Sequence, residues 1–194
     1  MALVVALGNP GGRYVHTRHN VAWWVVERLE ARWKAQRFER TPRYDVLRAE
    51  PEGRELHLMR PLTYMNLSGE ALLEWQALHG LDRNALLVVS DDVYLPVGSI
   101  RIRKSGSSGG HQGLESIESA LESRDYPRLR IGVGAADGAA LREHVLAEFS
   151  EAEEDQVEEA VTRAADAVEV WLREGLAAAM NGFNRSTGQE ASES

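Results

Sequence analysis

The sequence has no cysteine among its 194 residues. This absence excludes disulfide bonds and thiolate zinc sites, and it gives no support to secretion. No apolar run approaches the roughly 20 residues that a membrane-spanning helix needs. Residues 1–7 have no leading basic residues and end at a Gly-Asn-Pro turn, so they predict a first strand and not a signal peptide. We therefore expect a cytoplasmic protein with no membrane segment.

Signals for several common functional sites are also absent. The glycines after the first strand lack the Gly-x-Gly-x-x-Gly spacing of a dinucleotide-binding turn, and the Gly/Ser-rich segment 105–113 lacks the Gly-Lys-Ser/Thr ending of a P-loop. The six histidines include no His-x-x-x-His pair, so the sequence predicts no metal site. No serine or cysteine nucleophile motif is present, which leaves water as the natural attacking group in a hydrolytic reaction.

Acidic residues outnumber basic ones and give a net charge of −8, which at first argues against a nucleic-acid partner. The excess is concentrated in residues 148–194, which contain 12 acidic and 3 basic residues. The remaining residues are almost balanced in charge. The composition is therefore still compatible with a local basic surface.

Apolar runs alternate with helical patterns along residues 1–184. The predicted strands are 3–7, 44–49, 56–59, 85–89, 99–103 and 129–133. The predicted helices are 21–33, 67–79, 114–121, 139–147 and 151–173. This alternation favours a single α/β domain with a mixed sheet, in which strands 44–49 and 56–59 form an antiparallel hairpin. The tail 185–194 is small and polar, and we expect it to be disordered.

A histidine and two neighbouring carboxylates lie at the edges of apolar runs. Neutral imidazole can accept a proton from water near pH 7, so His19 is a candidate general base, although most lone histidines only cap helices or pack in cores. A nearby carboxylate would orient the imidazole and stabilise the imidazolium. Asp91 is the candidate and Asp92 its rival, because successive strand residues point to opposite faces and one of them is expected to reach His19.

Two asparagines complete this polar set. Asn9 lies in a Gly/Pro-rich turn and could be a simple turn residue. However, it follows the first strand, as Asp91 follows another, so we expect both at one rim of the sheet. Asn66 precedes a helix, where it would be an N-cap, in competition with Ser68, or a donor to a developing oxyanion.

Basic and aromatic residues suggest a binding surface. Arg101 and Arg103 alternate along a strand and lead into the Gly/Ser-rich segment, whose following helix N-terminus attracts phosphate. A solvated, charged edge strand is the alternative interpretation. Tyr14, in the first loop, is well placed to stack on a ligand.

In order and approximate spacing, these motifs resemble the bacterial-type peptidyl-tRNA hydrolase family. The matching segments are residues 8–11 with Tyr14, 17–20, 61–69, Asp91 with 95–96, 109–114 and 128–134. The resemblance implies a single-domain, phosphorylase/hydrolase-like α/β fold over residues 1–184, with a twisted mixed sheet surrounded by helices. It implies hydrolysis of the ester between a peptide and the 3′ ribose of tRNA, which recycles tRNA from prematurely released peptidyl-tRNA. It also implies a monomer that needs no cofactor.

By position, the resemblance implies that His19 activates water and that Asp91 stabilises its working protonation state. Asn9 would contact the peptide side of the ester and help to discriminate a blocked amino group from a free one. Asn66 would bind the substrate end and the developing negative charge. The implied substrate-binding residues are Tyr14, Tyr64, Met65, Asn66, His111 and Gln112, with Arg101, Arg103 and Arg130 at the tRNA phosphates.

The sequence departs from the family pattern at Gln112, where asparagine is common. Glutamine keeps the amide but moves it outward by one carbon–carbon bond, and a misplacement near 1 Å can cost ~100-fold in rate. Ser90 stands where a histidine is frequent and Tyr94 where an acid is frequent, and neither position belongs to the proposed acid–base pair.

Two other functions fit parts of the pattern. A non-catalytic RNA-binding relative would keep the fold, but it would not need Asn9, His19, Asn66 and Asp91 together. A small-molecule amide or ester hydrolase would use these residues and leave the basic strand unused. Salt dependence separates tRNA recognition from small-ester cleavage, because phosphate contacts weaken steeply with added salt.

Overall fold

A computed structural model describes residues 1–135 and 138–184. In this part of the chain seven strands form one mixed sheet, and six α-helices accompany it. The strands are β1 (Ala2–Ala6), β2 (Gln36–Arg40), β3 (Tyr44–Ala49), β4 (Leu56–Pro61), β5 (Leu86–Asp92), β6 (Ile100–Arg103) and β7 (Arg128–Gly132). The helices are α1 (Val21–Trp33), α2 (Ser68–His79), α3 (Gln112–Leu121), α4 (Leu141–Leu146), α5 (Glu151–Glu174) and α6 (Leu176–Phe183). The predicted α/β fold with a mixed sheet is confirmed.

The sheet has the strand order β2-β3-β4-β1-β5-β7-β6. Its four central strands are parallel to one another, and the strands toward both edges are antiparallel. β1 is central and its last four residues are buried, as its continuous apolar sequence requires. The carboxyl ends of β1, β5 and β7 therefore meet at one rim of the sheet, where the segments that follow them can form a site.

Both faces of the sheet are covered by helices. Alternate residues of β1 point to opposite faces: Val4 packs in the cluster that contains residues of α1, α5 and α6, and Val5 packs in the cluster that contains residues of α2 and α3. Trp75 of α2 is fully buried in the second cluster. This double cover makes the central strands a rigid support for the rim. No helix within residues 1–135 and 138–184 combines the length and apolarity needed to cross a membrane.

The structure corrects several element predictions. Two elements were not predicted from the sequence: β2, because a charged edge strand has no apolar alternation, and α6. The strand predicted at 85–89 extends to Asp92, so both aspartates lie within β5 and not beyond it. The helix predicted at 139–147 begins with a 3-10 turn, and its α-helical part is α4. The tail predicted to be disordered, 185–194, lies outside the described residues.

Candidate active site

A cavity of about 590 Å³ opens at the carboxyl ends of the central strands. The predicted site residues that line it are Asn9, Tyr14, His19, Tyr64, Met65, Asn66, Asp91, His111, Gln112 and Arg130. They come from five separate parts of the sequence, and the parallel strands bring them together. Arg101 and Arg103 do not line this cavity.

The centre of the cavity floor is an aspartate held between two histidines. The Oδ1 atom of Asp91 lies 2.8 Å from His19 Nδ1 and 2.8 Å from His111 Nε2. The side chain of Asp91 is 1% exposed, so the histidines take the place of water around it. Sequence reasoning identified the first contact and missed the second, because nothing in the spacing indicates which loop histidine turns toward Asp91.

Hydrogen bonds at the start of α3 assign the protonated nitrogen of His111. His111 is the N-cap of α3, and its Nδ1 accepts hydrogen bonds from the backbone N–H groups of Gly113 and Leu114 at 3.1 and 3.2 Å. Its proton is therefore on Nε2, which donates to Asp91. An ionised carboxylate can only accept hydrogen bonds, so His19 donates to Asp91 from Nδ1, and the lone pair of a neutral His19 is on Nε2.

The electrostatics of this cluster favour an ionised aspartate. Burial alone would raise the pKa of Asp91, but the charges and hydrogen bonds of His19 and His111 outweigh it and hold the pKa well below its usual range. Burial alone would lower the pKa of His19, but the Asp91 carboxylate outweighs it and the net shift is upward. At pH values above this raised pKa, His19 is neutral and can act as a base, and the Asp91 carboxylate provides a fixed negative charge beside it.

Asp92, the rival carboxylate, faces away from His19. Its Oδ2 lies 3.2 Å from Arg130 Nη1, and its Oδ1 accepts the backbone N–H of Tyr94 at 2.8 Å. The structure therefore resolves the choice that the sequence left open. Asp91 contacts the histidine, and Asp92 holds an arginine of the cavity wall.

Asn9 is fixed by three hydrogen bonds. Its backbone N–H and C=O bond to the side chain of Asn20 at 2.9 Å each, and its Oδ1 accepts the backbone N–H of Met65 at 2.9 Å. Gly8 precedes it, where a Cβ would lie 2.5 Å from the Trp23 ring nitrogen. Within the described residues the Nδ2 group of Asn9 has no protein acceptor, so it is the part of this side chain that can donate to a ligand in the cavity.

Asn66 lies on the cavity wall in a 3-10 turn over Met65–Leu67 and is exposed. The N-cap of α2 is Leu67, with no side-chain cap, so the capping interpretation of Asn66 and Ser68 is wrong. Ser68 Oγ instead donates to the Met65 carbonyl at 2.8 Å. Asn66 therefore lines the cavity without a capping role.

Two further walls complete the cavity. α4 contributes Leu141, Arg142, Val145 and Leu146, which were not predicted as site residues although their i, i+4 spacing is visible in the sequence. The start of α3 contributes Gln112, the exposed first residue of this helix. Gly113 follows, where a Cβ would come 2.5 Å from the Met65 sulfur, so glycine lets α3 approach this residue.

The predicted arginines share one face of the sheet edge. Arg101 pairs with Arg130 and Arg103 with Arg128 across the antiparallel strands β6 and β7. Arg128 is buried, with its guanidinium 4.1 Å from the Tyr126 ring centre and an ion pair to Glu118, and its role is structural. The exposed Arg101 and Arg103 continue outward from Arg130 at the cavity wall.

The cluster is also the group of potential metal ligands found among the described residues. The donor atoms of His19, Asp91 and His111 lie within 4.8 Å of one another. Two imidazoles and a carboxylate would suit a divalent transition metal. Here each imidazole has an N–H group directed at the carboxylate, so protons account for the arrangement.

Comparison with known proteins identifies the family of this chain. The family model for peptidyl-tRNA hydrolase matches residues 3–192. A peptidyl-tRNA hydrolase of Syntrophomonas wolfei is 46% identical over 95% of this chain and all of the relative, and one of Roseiflexus castenholzii is 43% identical over 95% of this chain and 87% of the relative.

Solved structures of peptidyl-tRNA hydrolases have the same fold as this chain. A peptidyl-tRNA hydrolase of Acinetobacter baumannii superposes with a TM-score of 0.87 at 31% identity, covering 93% of each chain. A purine nucleoside phosphorylase of Toxoplasma gondii shares the fold alone, with a TM-score of 0.53 at 8% identity over 89% of this chain and 92% of the phosphorylase. The chain belongs to the peptidyl-tRNA hydrolase family of enzymes.

Proposed function

We propose that this enzyme hydrolyses the ester between the peptide, or an N-blocked amino acid, and the 3′ ribose of tRNA, with water activated by His19. The observation that carries the proposal is the His19–Asp91 hydrogen bond at 2.8 Å, which leaves the other ring nitrogen of a cavity-lining histidine as the base. In the cell this reaction would recycle tRNA from prematurely released peptidyl-tRNA.

In the proposed reaction, His19 carries one proton from the attacking water to the 3′ oxygen of the ribose. Water bound at His19 Nε2 attacks the ester carbonyl while its proton passes to the imidazole, and a tetrahedral oxyanion forms. Asp91 stabilises the imidazolium, because the charge develops beside a buried carboxylate that is already ionised. The imidazolium then gives the proton to the 3′ oxygen as the ester bond breaks. His111 holds the second hydrogen bond of Asp91 and keeps its oxygen in line with His19.

Two amides would recognise the acyl side of the substrate. Asn66 would donate to the developing oxyanion. Asn9 Nδ2 would donate to the carbonyl oxygen of the acyl group that blocks the α-amino nitrogen. A free α-amino group in its protonated form presents only donors, so the same amide would not bind it. This difference would discriminate a blocked amino group from a free one.

The remaining predicted residues would bind the rest of the substrate. Tyr14 and Tyr64 would contact the terminal adenosine or the peptide, and Met65 and Gln112 would line its path through the cavity. The tRNA phosphates would lie along Arg101, Arg103 and Arg130, which provide a local basic surface in spite of the negative net charge. We also propose that the enzyme acts as a cytoplasmic monomer.

The test is release of the N-blocked amino acid from N-acetyl-aminoacyl-tRNA, with unblocked aminoacyl-tRNA as the control substrate. We expect cleavage of the blocked substrate and sparing of the free one. His19→Ala should abolish turnover while tRNA binding persists, and His79→Ala, at an exposed histidine paired with Glu39, is the matched control. Near-normal turnover by His19→Ala would contradict the mechanism, and salt-independent cleavage would indicate a small-ester hydrolase.

A further inference from the structure

The loop that carries His19 has little apolar anchoring of its own. Within residues 11–16 each side chain is exposed or half-buried. The histidine itself lies in a 3-10 turn over Arg18–Asn20. Both of its neighbours in the turn are buried, Arg18 at 7% and Asn20 at 0% exposure. Asn20 is accounted for by its hydrogen bonds with Asn9, whereas the mechanism above gives no role to Arg18.

Arg18 makes four hydrogen bonds to three separate segments. Its Nη1 donates to the Val133 carbonyl at 2.9 Å and to Glu153 Oε1 at 3.0 Å, and its Nη2 donates to Glu153 Oε2 at 2.7 Å. Its backbone N–H donates to the Ala147 carbonyl at 3.0 Å. The guanidinium carbon also lies 4.5 Å from the centre of the Phe149 ring. This bidentate contact with the Glu153 carboxylate fixes the orientation of the guanidinium group as well as its position.

The two carbonyls bound by Arg18 lie at the two ends of the segment that contains α4. Val133 directly follows the last residue of β7. Ala147 is the C-cap of α4, and side chains of α4 form one wall of the cavity. His144 of α4 donates to the same Val133 carbonyl at 3.1 Å. Arg18 is therefore bonded to the base of the cavity wall on one side and is covalently joined to His19 on the other.

Glu153 holds the arginine in turn. It belongs to the capping box of α5, where its Oε2 accepts the backbone N–H of Ser150 at 2.9 Å and its hydroxyl at 2.7 Å. The hydrogen bonds from Arg18 come first among the causes that lower the pKa of Glu153 to about 2. The carboxylate is ionised at neutral pH, so the ion pair persists over the range in which His19 can act as a base.

We propose that Arg18, held by Glu153, is a positioning residue that fixes His19 relative to Asp91 and to the α4 wall. The proposal rests on the proposed role of His19 as the base. Loss of the guanidinium contacts would loosen the turn on one side, where only the backbone N–H of Arg18 would still bond to Ala147, while Asn20 still holds it on the other. The expected result is a small displacement of His19 and not unfolding, and a displacement near 1 Å costs about 100-fold in rate.

The matched control is another arginine bonded to the same helix. Arg28 of α1 pairs with Glu158 and also donates to Thr162, both in α5, but it does not line the cavity. A purely structural role for Arg18 would make Arg18→Gln resemble Arg28→Gln in every measurement. A positioning role would separate the two.

The experiment compares Arg18→Gln, Arg18→Lys, Glu153→Gln and Arg28→Gln by kcat, KM and pH profile, with each concentration corrected for the folded fraction. For Arg18→Gln we expect kcat to fall about 100-fold and KM to change by less than about threefold. The acid limb of the kcat profile should move to lower pH, because a displaced His19 loses part of the stabilisation by Asp91. Arg18→Lys should recover part of kcat, Arg28→Gln should match the unaltered enzyme, and Glu153→Gln should add little in an Arg18→Gln background.

Three results would overturn the proposal: an unchanged kcat per folded molecule in Arg18→Gln, a loss equal to that of Arg28→Gln, or an unchanged pKa of His19 in the variants. If Arg18→Gln does not fold, Arg18→Lys and Glu153→Gln decide by the same criteria. The NMR titration of His19 in the ligand-free protein separates this proposal from the proposed function. A lowered His19 pKa in the variants supports positioning even if the unaltered enzyme does not cleave N-acetyl-aminoacyl-tRNA, and an unchanged pKa contradicts it.

Discussion

The acid–base cluster (His19, Asp91 and His111) and the basic surface (Arg101, Arg103 and Arg130) lie near each other but differ in construction. In the cluster the side chains are at most 12% exposed, and two of its hydrogen bonds converge on one oxygen. In the basic surface Arg101 and Arg103 are exposed, and Arg130 is tied to Asp92. Proton transfer depends on fractions of an ångström, whereas attraction of phosphate acts over about 10 Å, so the cluster needs fixed positions and the surface needs mainly charge.

Substitution of the central carboxylate should have the largest effect. Asp91→Asn removes the negative charge that stabilises the His19 imidazolium, so we expect kcat to fall about 1,000-fold or more with a small change in KM. The raised pKa of His19 should fall, because burial then acts without its opposing carboxylate. The acid limb of the residual activity should therefore move to lower pH, as measured by kcat against pH.

Asp92→Asn is the control for this prediction. It changes the neighbouring carboxylate, which contacts Arg130 and not His19. We expect its acid limb to stay in place. Equal losses of kcat in Asp91→Asn and Asp92→Asn would contradict the prediction, because they would mean that the contact of Asp91 with His19 does not cause the loss of activity.

Gln112→Asn should have the next largest effect, in the opposite direction. The shorter side chain draws the amide back by one carbon–carbon bond, and restoration of a group misplaced by about 1 Å can raise the rate up to about 100-fold. The measurement is kcat for N-acetyl-aminoacyl-tRNA. Gln76→Asn, at an exposed position of α2, controls for the substitution itself. A kcat that is unchanged or lower would show that the start of α3 already places the Gln112 amide correctly.

His111→Ala should shift the pH profile in the sense opposite to Asp91→Asn. His111 draws charge from Asp91 through its hydrogen bond, so its removal leaves more of that charge for the His19 imidazolium and raises the pKa of His19 further. The acid limb should move to higher pH, with a loss of kcat that is smaller than for Asp91→Asn. Loss of the cap on α3 should also cost about 1 kcal/mol of stability, measured by thermal unfolding.

Local sequence patterns predicted the elements that carry the site, whereas the contacts within the site depend on residues far apart in the chain. The apolar pattern of β1 and the 3.6-residue period of α1 identified these elements, and the order of parallel strands placed Asn9 and Asp91 on one rim. The choice of Asp91 over Asp92 needed the register of β5, because a shift by one residue would exchange their faces. The tautomer of His111 needed the hydrogen bonds of the α3 terminus, and long-range contacts such as Arg18 with Glu153 leave no local signal.

The basic surface should give the smallest change in kcat and a distinct salt response. Arg101→Gln or Arg103→Gln removes one charge from an exposed side chain, so KM should rise a few-fold at low salt while kcat stays nearly constant. Each lost phosphate contact should also reduce the slope of log KM against log salt concentration by about 1. Arg37→Gln, on the edge strand β2 at the other end of the sheet, is the control, since it changes net charge equally at a distance from the cavity. If Arg37→Gln changed the slope as much as Arg101→Gln does, net charge and not a local surface would govern binding. A lower kcat in Arg101→Gln would instead mean that this arginine also positions the ester, and the division between a fixed cluster and a charged surface would not hold.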